Sequence, residues 1–110
     1  VSSGAILGCA LDLDNNFIYF SINGTWQNSG DPTSGSSGTN GISLPSGMTD
    51  SKHKFLSVSP NESYLECNFG NGYFGTTQIS SAGTNASGIG IFEYDVPTGY
   101  TALSTKGLNE

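Results

Sequence analysis

Apolar and polar residues alternate most clearly near the start of the chain. In the segment 7–14 every second residue is apolar, namely Leu7, Cys9, Leu11 and Leu13. A period of two is typical of a β-strand that covers a core with one face. The next two residues, Asn15-Asn16, predict a turn, because asparagine tolerates positive φ better than most residues. The segment 17–22 is then the returning strand of a hairpin.

The register of this hairpin follows from the turn. With Asn15-Asn16 at the tip, each apolar residue of the first strand faces an apolar partner: Leu13 with Ile18, Leu11 with Phe20, and Cys9 with Ile22. A slip by one residue would destroy this match. We therefore expect one buried cluster, formed by Leu11, Leu13, Ile18 and Phe20, whereas Asp12 and Tyr19 face outward.

The rest of the chain is divided into short strands by turn residues. Asn23-Gly24 predicts a tight hairpin turn, and Asn71-Gly72 and Pro97-Thr98-Gly99 predict two more. Further strands are expected over 54–59, 64–69 and 89–94. The strand over 64–69 alternates, with Leu65, Cys67 and Phe69 expected to face inward. No repeat and no helix longer than one turn is evident.

Composition supports an all-β class. The 110 residues suffice for one domain, so we expect a single domain over 1–110. Glycine, serine and threonine are abundant, with 16, 17 and 10 residues respectively. All three are poor in helix interiors, since glycine loses the most backbone entropy and the hydroxyl groups compete for backbone hydrogen bonds.

The charge balance excludes two classes of partner. The net charge is −6, with three lysines and no arginine. Phosphate backbones and anionic membrane surfaces are bound through clusters of basic residues, so we expect no nucleic-acid partner. No apolar run approaches the length of a membrane span, and we expect no membrane insertion.

The two cysteines leave the redox compartment open. Cys9 and Cys67 are either core thiols or a disulfide pair. We expect both to point into the core as free thiols. Glycosylation sequons at Asn23, Asn61 and Asn85 occur about as often as chance gives in a chain so rich in serine and threonine, so they carry no information on secretion.

Residues that could carry catalysis or bind a metal are few. His53 is the single histidine, and its lysine neighbours favour a solvated loop. Asp12, Asp14 and Asn16 have the opening spacing of a calcium loop, but Phe17 stands where such a loop needs glycine. Hairpin formation explains these aspartates better. We therefore predict no enzymatic activity, no metal site and no cofactor. Trp26 is expected to pack in the core, and for Tyr64 packing and ligand stacking remain equally open.

Several motifs together resemble the SPRY domain. The central hairpin of that family has a Leu-Asp-Leu-Asp strand, a turn and then Phe-Ser-x-Asn-Gly, which matches Leu11–Asp14 and Phe20–Gly24. Three further segments are similar to the SPRY variant of phage and environmental viral proteins: Trp26–Gly35, Asn68–Asn71 and Phe92–Lys106. The resemblance spans nearly the whole chain.

The resemblance implies a bent antiparallel β-sandwich, related to the concanavalin-like folds, that recognises its partner through loops at one end. The chain departs from it in two ways. Relatives have several strands upstream of the Gly8-Cys9 strand, which are absent here, and Ser104 stands where the variant often has cysteine. We expect the chain to be part of a larger protein.

The resemblance and composition lead to one expected function and two alternatives. We expect a non-enzymatic binding or structural module on a virion surface protein, such as a tail fibre, that recognises a protein or surface glycan. The alternatives are a secreted carbohydrate-binding domain and an architectural subunit that self-associates in a fibre by β-strand addition. The expected localisation is the virion surface or the extracellular space.

The expected contact surface is the polar stretch from Ser29 to Ser46. Rich in Gly, Ser, Thr and Pro, it is either a functional surface loop or a disordered segment. Together with a basic turn and one aromatic residue, it supplies the expected partner-binding residues: Asp31, Thr33, Ser34, Asn40, Lys52, His53, Lys54 and Tyr64.

Overall fold

The computed structural model describes residues 2–45 and 57–108. In this part of the chain the regular structure is mostly strands in antiparallel sheets, and no helix reaches seven residues. The one α-helix, α1, is the single turn Thr105–Leu108. The all-β class is therefore confirmed. The chain divides into two compact units, Val1–Phe55 and Leu56–Glu110, and the prediction of a single domain stays a prediction.

The first unit is built on a four-stranded antiparallel sheet. Its strands are β1 (Leu7–Asp12), β2 (Phe17–Ile22), β3 (Thr25–Trp26) and β4 (Ile42–Ser43). The central strand is β2, which pairs with the other three. Because β1 pairs along the whole length of β2, it occupies one side of that strand, and β3 and β4 share the other side.

The β1–β2 hairpin exists, but its register differs from the predicted one by two residues. Three apolar pairs lie opposite each other: Leu11 with Ile18, Cys9 with Phe20, and Leu7 with Ile22. The connection is a four-residue loop over 13–16, not the two-residue turn Asn15-Asn16. A shift by two preserves the alternation of faces, so the same side chains share a face as predicted.

The buried face of the hairpin is the opposite of the predicted one. Tyr19 is only 3% exposed, and Ala10 and Ser21 are buried beside it. Phe20 is 44% exposed, Leu11 and Leu13 are also exposed, and Ile18 is half-buried. The prediction that these four residues form a buried cluster is wrong, as is the prediction that Tyr19 faces outward.

The segment 29–41 explains this inversion, because it crosses the Tyr19 face of the sheet and covers it. A Cβ atom added at Gly41 would lie 2.7 Å from Cζ of Tyr19, and one added at Gly38 would clash with the ring of Phe17. The rings of Phe17 and Tyr19 pack against each other with centroids 6.4 Å apart. Glycine lets a backbone approach an aromatic ring this closely, so a loop composed mainly of glycine, serine and threonine forms the cover.

The second unit has little regular structure. It contains the short hairpin of β5 (Tyr73–Phe74) and β6 (Thr77–Gln78), with Gly75 at positive φ in the two-residue turn. The predicted strand over 64–69 is wrong, since this segment forms no strand and Leu65, Cys67 and Phe69 are exposed. The strand predicted over 89–94 is reduced to one isolated bridge, from Ile91 to Asn71. Of the strand predicted over 54–59, the first three residues lie outside the described part, and 57–59 form no strand.

Two predicted turns are confirmed. Asn23 and Gly24 have φ of 49° and 80° and connect β2 directly to β3, as a tight hairpin requires. At the other end of the chain, Tyr100 N donates to Pro97 O over 3.1 Å, with Gly99 at φ 94°. None of the helices in the described ranges is long or apolar enough to span a membrane.

Candidate recognition surface

The outer side of the covering segment is a ridge of polar groups, which we call the polar ridge and define as residues 31–40. Its first element is the carboxylate of Asp31. Oδ1 accepts hydrogen bonds from Thr33 N at 2.9 Å and Thr33 Oγ1 at 2.6 Å. These bonds lower the pKa of the exposed Asp31 carboxyl, the hydroxyl of Thr33 contributing most. Asp31 therefore presents a stable negative charge.

Ser34 connects the two ends of the polar ridge. Its Oγ donates to Asp31 O over 2.7 Å and accepts from Thr39 N over 2.8 Å. The backbone closes the same loop, because Asp31 N donates to Thr39 O over 3.0 Å. Ser34 Oγ also lies 3.4 Å from the hydroxyl of the buried Tyr19. The ridge is thus held by bonds within it and by a contact with the sheet below, so residues 31–40 form an ordered surface loop that leads into β4.

The structure brings together four of the predicted site residues. Asp31, Thr33 and Asn40 are exposed and Ser34 is half-buried, all within the polar ridge. Asn40 has φ of 51°, and its side-chain amide donates to Ser29 O over 3.3 Å. Lys52, His53 and Lys54 lie outside the described residues.

Tyr64 belongs to the second unit and is fully exposed, at 102% of its reference area. A tyrosine ring in this state presents both faces to solvent. Trp26, for which core packing was expected, is half-buried in β3. These two aromatic side chains therefore have different environments, and Tyr64 is the one available for stacking.

Sequence patterns gave no indication of an open cleft in the second unit. It has a volume of about 430 Å³, and its lining includes Cys67, Ile89, Ser104 and Lys106. Gly70 and Gly90 bring its walls together, since a Cβ atom at Gly70 would lie 2.9 Å from Cα of Gly90. The two glycine backbones that approach each other here are twenty residues apart in the sequence. The glycines themselves, in segments without a regular pattern, are the sequence feature that could have indicated this approach.

Both cysteines are free thiols, as predicted, but neither lies in a core. Cys9 and Cys67 are exposed as whole residues. Partial desolvation of the Cys9 sulfur nevertheless raises the pKa of its thiol. The prediction that both thiols point into the core is wrong, and for Cys9 the reason is the inverted burial of the β1–β2 hairpin.

The inversion leaves an apolar surface on the other side of the first sheet. We call it the open face; its exposed members are Leu7, Cys9, Leu11, Phe20 and Ile42. An apolar patch on one face of a sheet is commonly an interaction surface. The predicted hairpin placed Leu7, Cys9, Leu11 and Phe20 on one face correctly but assigned that face to the core; Ile42 was not part of this prediction.

Comparisons of the chain with known proteins found no match. No protein-family model matches it, and neither the search of curated proteins nor the search of solved structures returned a match. In the described part of the chain, no three histidine, cysteine or acidic residues are grouped as metal ligands.

Proposed function

We propose that this protein is a non-enzymatic recognition module that binds a protein or a surface glycan through the polar ridge. One observation carries the proposal: hydrogen bonds within the ridge connect its two ends and Ser34 contacts Tyr19 beneath it, yet Asp31, Thr33 and Asn40 are exposed. A surface that is already ordered loses little entropy on binding, so its polar groups contribute more fully to affinity.

The chemistry of the ridge indicates what it binds. The segment 29–41 has one carboxylate, several hydroxyl groups and one amide, and no lysine or arginine. Such a surface suits a partner that offers hydroxyl or N–H donors, and a glycan offers many. An anionic partner would be repelled by Asp31, whose lowered pKa keeps it charged.

The biological setting of the proposal rests on the SPRY resemblance. That resemblance supports a virion surface protein, such as a tail fibre, and a bent sandwich whose loops contact the partner. The low content of charged residues, 11%, suits an exposed extracellular surface.

A carbohydrate-binding function through Tyr64 is the second candidate. A fully exposed aromatic ring can stack on the apolar face of a sugar, which is a common mode of glycan recognition. This candidate uses a residue of the second unit, so it can be separated experimentally from binding at the polar ridge.

The experiment compares two matched substitutions. Ser36→Arg places a long cation on the exposed crest of the ridge, and Ser81→Arg makes the same change at an exposed position of the second unit. Both proteins are tested on a glycan array and on cells of candidate hosts. Ser36→Arg should reduce binding at least about tenfold, and Ser81→Arg should leave it unchanged.

A third variant, Tyr64→Ala, separates the two candidates. If Tyr64→Ala loses binding while Ser36→Arg binds normally, the binding site is at Tyr64 and not at the polar ridge. If all three variants bind as the unsubstituted protein does, the partner contacts neither site and the proposal fails.

A further inference from the structure

Among the described residues, the outer edge of β1 has no strand paired with it, because β1 is the terminal strand of its sheet. Natural edge strands are commonly protected by proline, lysine or a β-bulge, which prevent pairing with another chain. The six residues of β1, Leu-Gly-Cys-Ala-Leu-Asp, contain neither residue and pair with β2 without a bulge.

The hydrogen-bond pattern shows which backbone groups point outward. Asn23 N donates to Ile6 O over 2.9 Å, so Ile6 belongs to a hydrogen-bonded pair with Asn23. Such pairs alternate along an antiparallel ladder. Gly8, Ala10 and Asp12 therefore bond to β2, whereas three residues direct their N–H and C=O groups to the free edge: Leu7, Cys9 and Leu11.

These three residues also carry exposed side chains of the open face. An extended strand added at this edge would accordingly gain main-chain hydrogen bonds and apolar contacts at the same positions. That combination is the basis of β-strand addition as a mode of recognition.

We propose that β1 pairs antiparallel with β1 of a second copy of this chain, about a two-fold axis through Cys9. The sequence Leu-x-Cys-x-Leu is symmetric about this residue, so each Leu7 would lie opposite Leu11 of the second copy. Every outward N–H and C=O group of the three edge residues finds a partner in this register. A two-fold contact of this kind uses the same patch on both copies, as most homodimers do.

The charges of the chain are compatible with this register despite the net charge of −6. Asp12 would lie opposite Ile6 of the second copy, and Asp14 opposite Gly4. No two carboxylates face each other, which removes the cross-strand repulsion that like charges cause. The polar ridge lies over the other face of the sheet, so the pairing does not depend on the proposed recognition function.

The register makes a geometric prediction about Cys9. Residues of a hydrogen-bonded antiparallel pair have Cα atoms about 5.5 Å apart. This separation lies within the range of about 4.4–6.8 Å found in disulfides. The two Cys9 thiols of a dimer can thus be joined by an added oxidant: one S–S bond forms, and the oxidant takes up two electrons and two protons.

The first experiment uses copper–phenanthroline in air as the oxidant. Cys67→Ser, which retains only Cys9, should form a disulfide-linked dimer within minutes, whereas Cys9→Ser, which retains only Cys67, should not. Sedimentation velocity without oxidant should show a reversible dimer of the unsubstituted chain. A monomer at every concentration up to about 1 mM, a weak-binding limit, would refute the proposal.

Matched charge substitutions then test the edge and the register. Leu11→Lys and Leu13→Lys replace leucines of nearly equal exposure, 41% and 40%, but only Leu11 lies in β1. Leu11→Lys should weaken the dimer about tenfold or more, since it removes two apolar cross-strand pairs, and Leu13→Lys should not.

A mixture of Leu7→Lys and Leu11→Glu chains provides the decisive arm. In the proposed register, the new lysine of one copy faces the new glutamate of the other, so the mixture should dimerise more tightly than either variant alone. Circular dichroism confirms that both variants are folded. A dimer that is insensitive to these substitutions, or a mixture that stays monomeric, would overturn the pairing.

Discussion

The carboxylate of Asp12 closes the β1–β2 loop on Asn15. Oδ1 accepts from Asn15 N at 3.0 Å, and Oδ2 accepts from Asn15 Nδ2 at 2.8 Å. A side-chain carboxylate that bonds its own chain three residues further on stabilises a turn in place of the backbone. This pair therefore selects the four-residue loop, and with it the observed register.

Replacing Asp12 tests this role. Asp12→Ala should lower the free energy of unfolding by about 1–2 kcal/mol, because Asn15 loses both acceptors. Asp14→Ala is the matched control, since Asp14 is exposed in the same loop and should change stability by less than about 0.5 kcal/mol. Urea denaturation measures both values. Equal effects would show that the pair does not determine the loop.

Two glycines of the polar ridge distinguish backbone strain from packing. Gly35 and Gly38 have φ of 58° and 56°, but a Cβ atom meets nothing within 4 Å at Gly35 and the Phe17 ring at Gly38. Gly35→Ala should cost about 1–2 kcal/mol from φ alone. Gly38→Ala should cost about 1–3 kcal/mol more, since the ring must move. Thermal unfolding of both variants is the measurement, and similar values would contradict the packing of the ridge on Phe17.

Asn16 and Asn23 form a second matched pair. Both have positive φ, 64° and 49°, but Asn23 Oδ1 accepts from Ile6 N at 2.9 Å, whereas Asn16 Oδ1 is buried without a hydrogen-bond partner among the described residues. Asn16→Gly should raise stability by about 1 kcal/mol, because glycine suits this φ and removes the orphaned oxygen. Asn23→Gly should lower it by a similar amount. Chemical denaturation decides, and a loss of stability in Asn16→Gly would contradict the prediction.

Asp31 makes the folding stability of the chain depend on pH in the acidic range. Hydrogen bonds from Thr33 lower its pKa in the folded state, so the unfolded chain binds a proton more readily. The resulting stabilisation is fully present above the unfolded pKa of about 3.9 and is lost as pH falls through the lower folded pKa. An NMR titration should place the Asp31 midpoint below that of a model peptide.

Asp95 supplies the control for this titration. Its pKa is also lowered, but there the largest cause is a bond from the backbone N–H of Thr84, at 2.7 Å, and the Thr84 side chain comes second. Thr33→Val should therefore raise the pKa of Asp31 more than Thr84→Val raises that of Asp95. Equal shifts would mean that the Thr33 hydroxyl contributes little.

The first hairpin shows how far sequence patterns lead. The alternation over 7–14 predicted the first strand, and the turn residues after it predicted the returning strand. The resulting hairpin grouped Leu11, Ile18 and Phe20 on one face correctly. The turn between β2 and β3 was also predicted correctly from Asn23-Gly24, because few dipeptides adopt that geometry, whereas the turn predicted at Asn15-Asn16 is a four-residue loop. The pattern could not determine which face is covered, since the cover is a loop whose contact with Tyr19 is made by glycines.

Outside this hairpin, the sequence predicted less. The alternation over 64–69 suggested a strand, but alternation stabilises a strand only when a neighbouring strand supplies hydrogen bonds, and this segment has none in the described part of the chain. Composition singled out the stretch from Ser29 to Ser46, which contains the polar ridge, as either a functional surface loop or a disordered segment. Its order was not foreseen, because that order depends on Ser34 contacting both Thr39 and Tyr19.

The glycine-based cover over Tyr19 has a consequence for the divergence of this protein. Exposed positions of the ridge, such as Ser36 and Ser37, can change without disturbing the ring beneath them. Gly38 and Gly41 cannot, since any side chain would displace an aromatic residue. Distant relatives should therefore share little identity in this segment apart from two glycines three positions apart, following a tyrosine in an upstream strand. That spacing should survive longer in evolution than the leucines of β1.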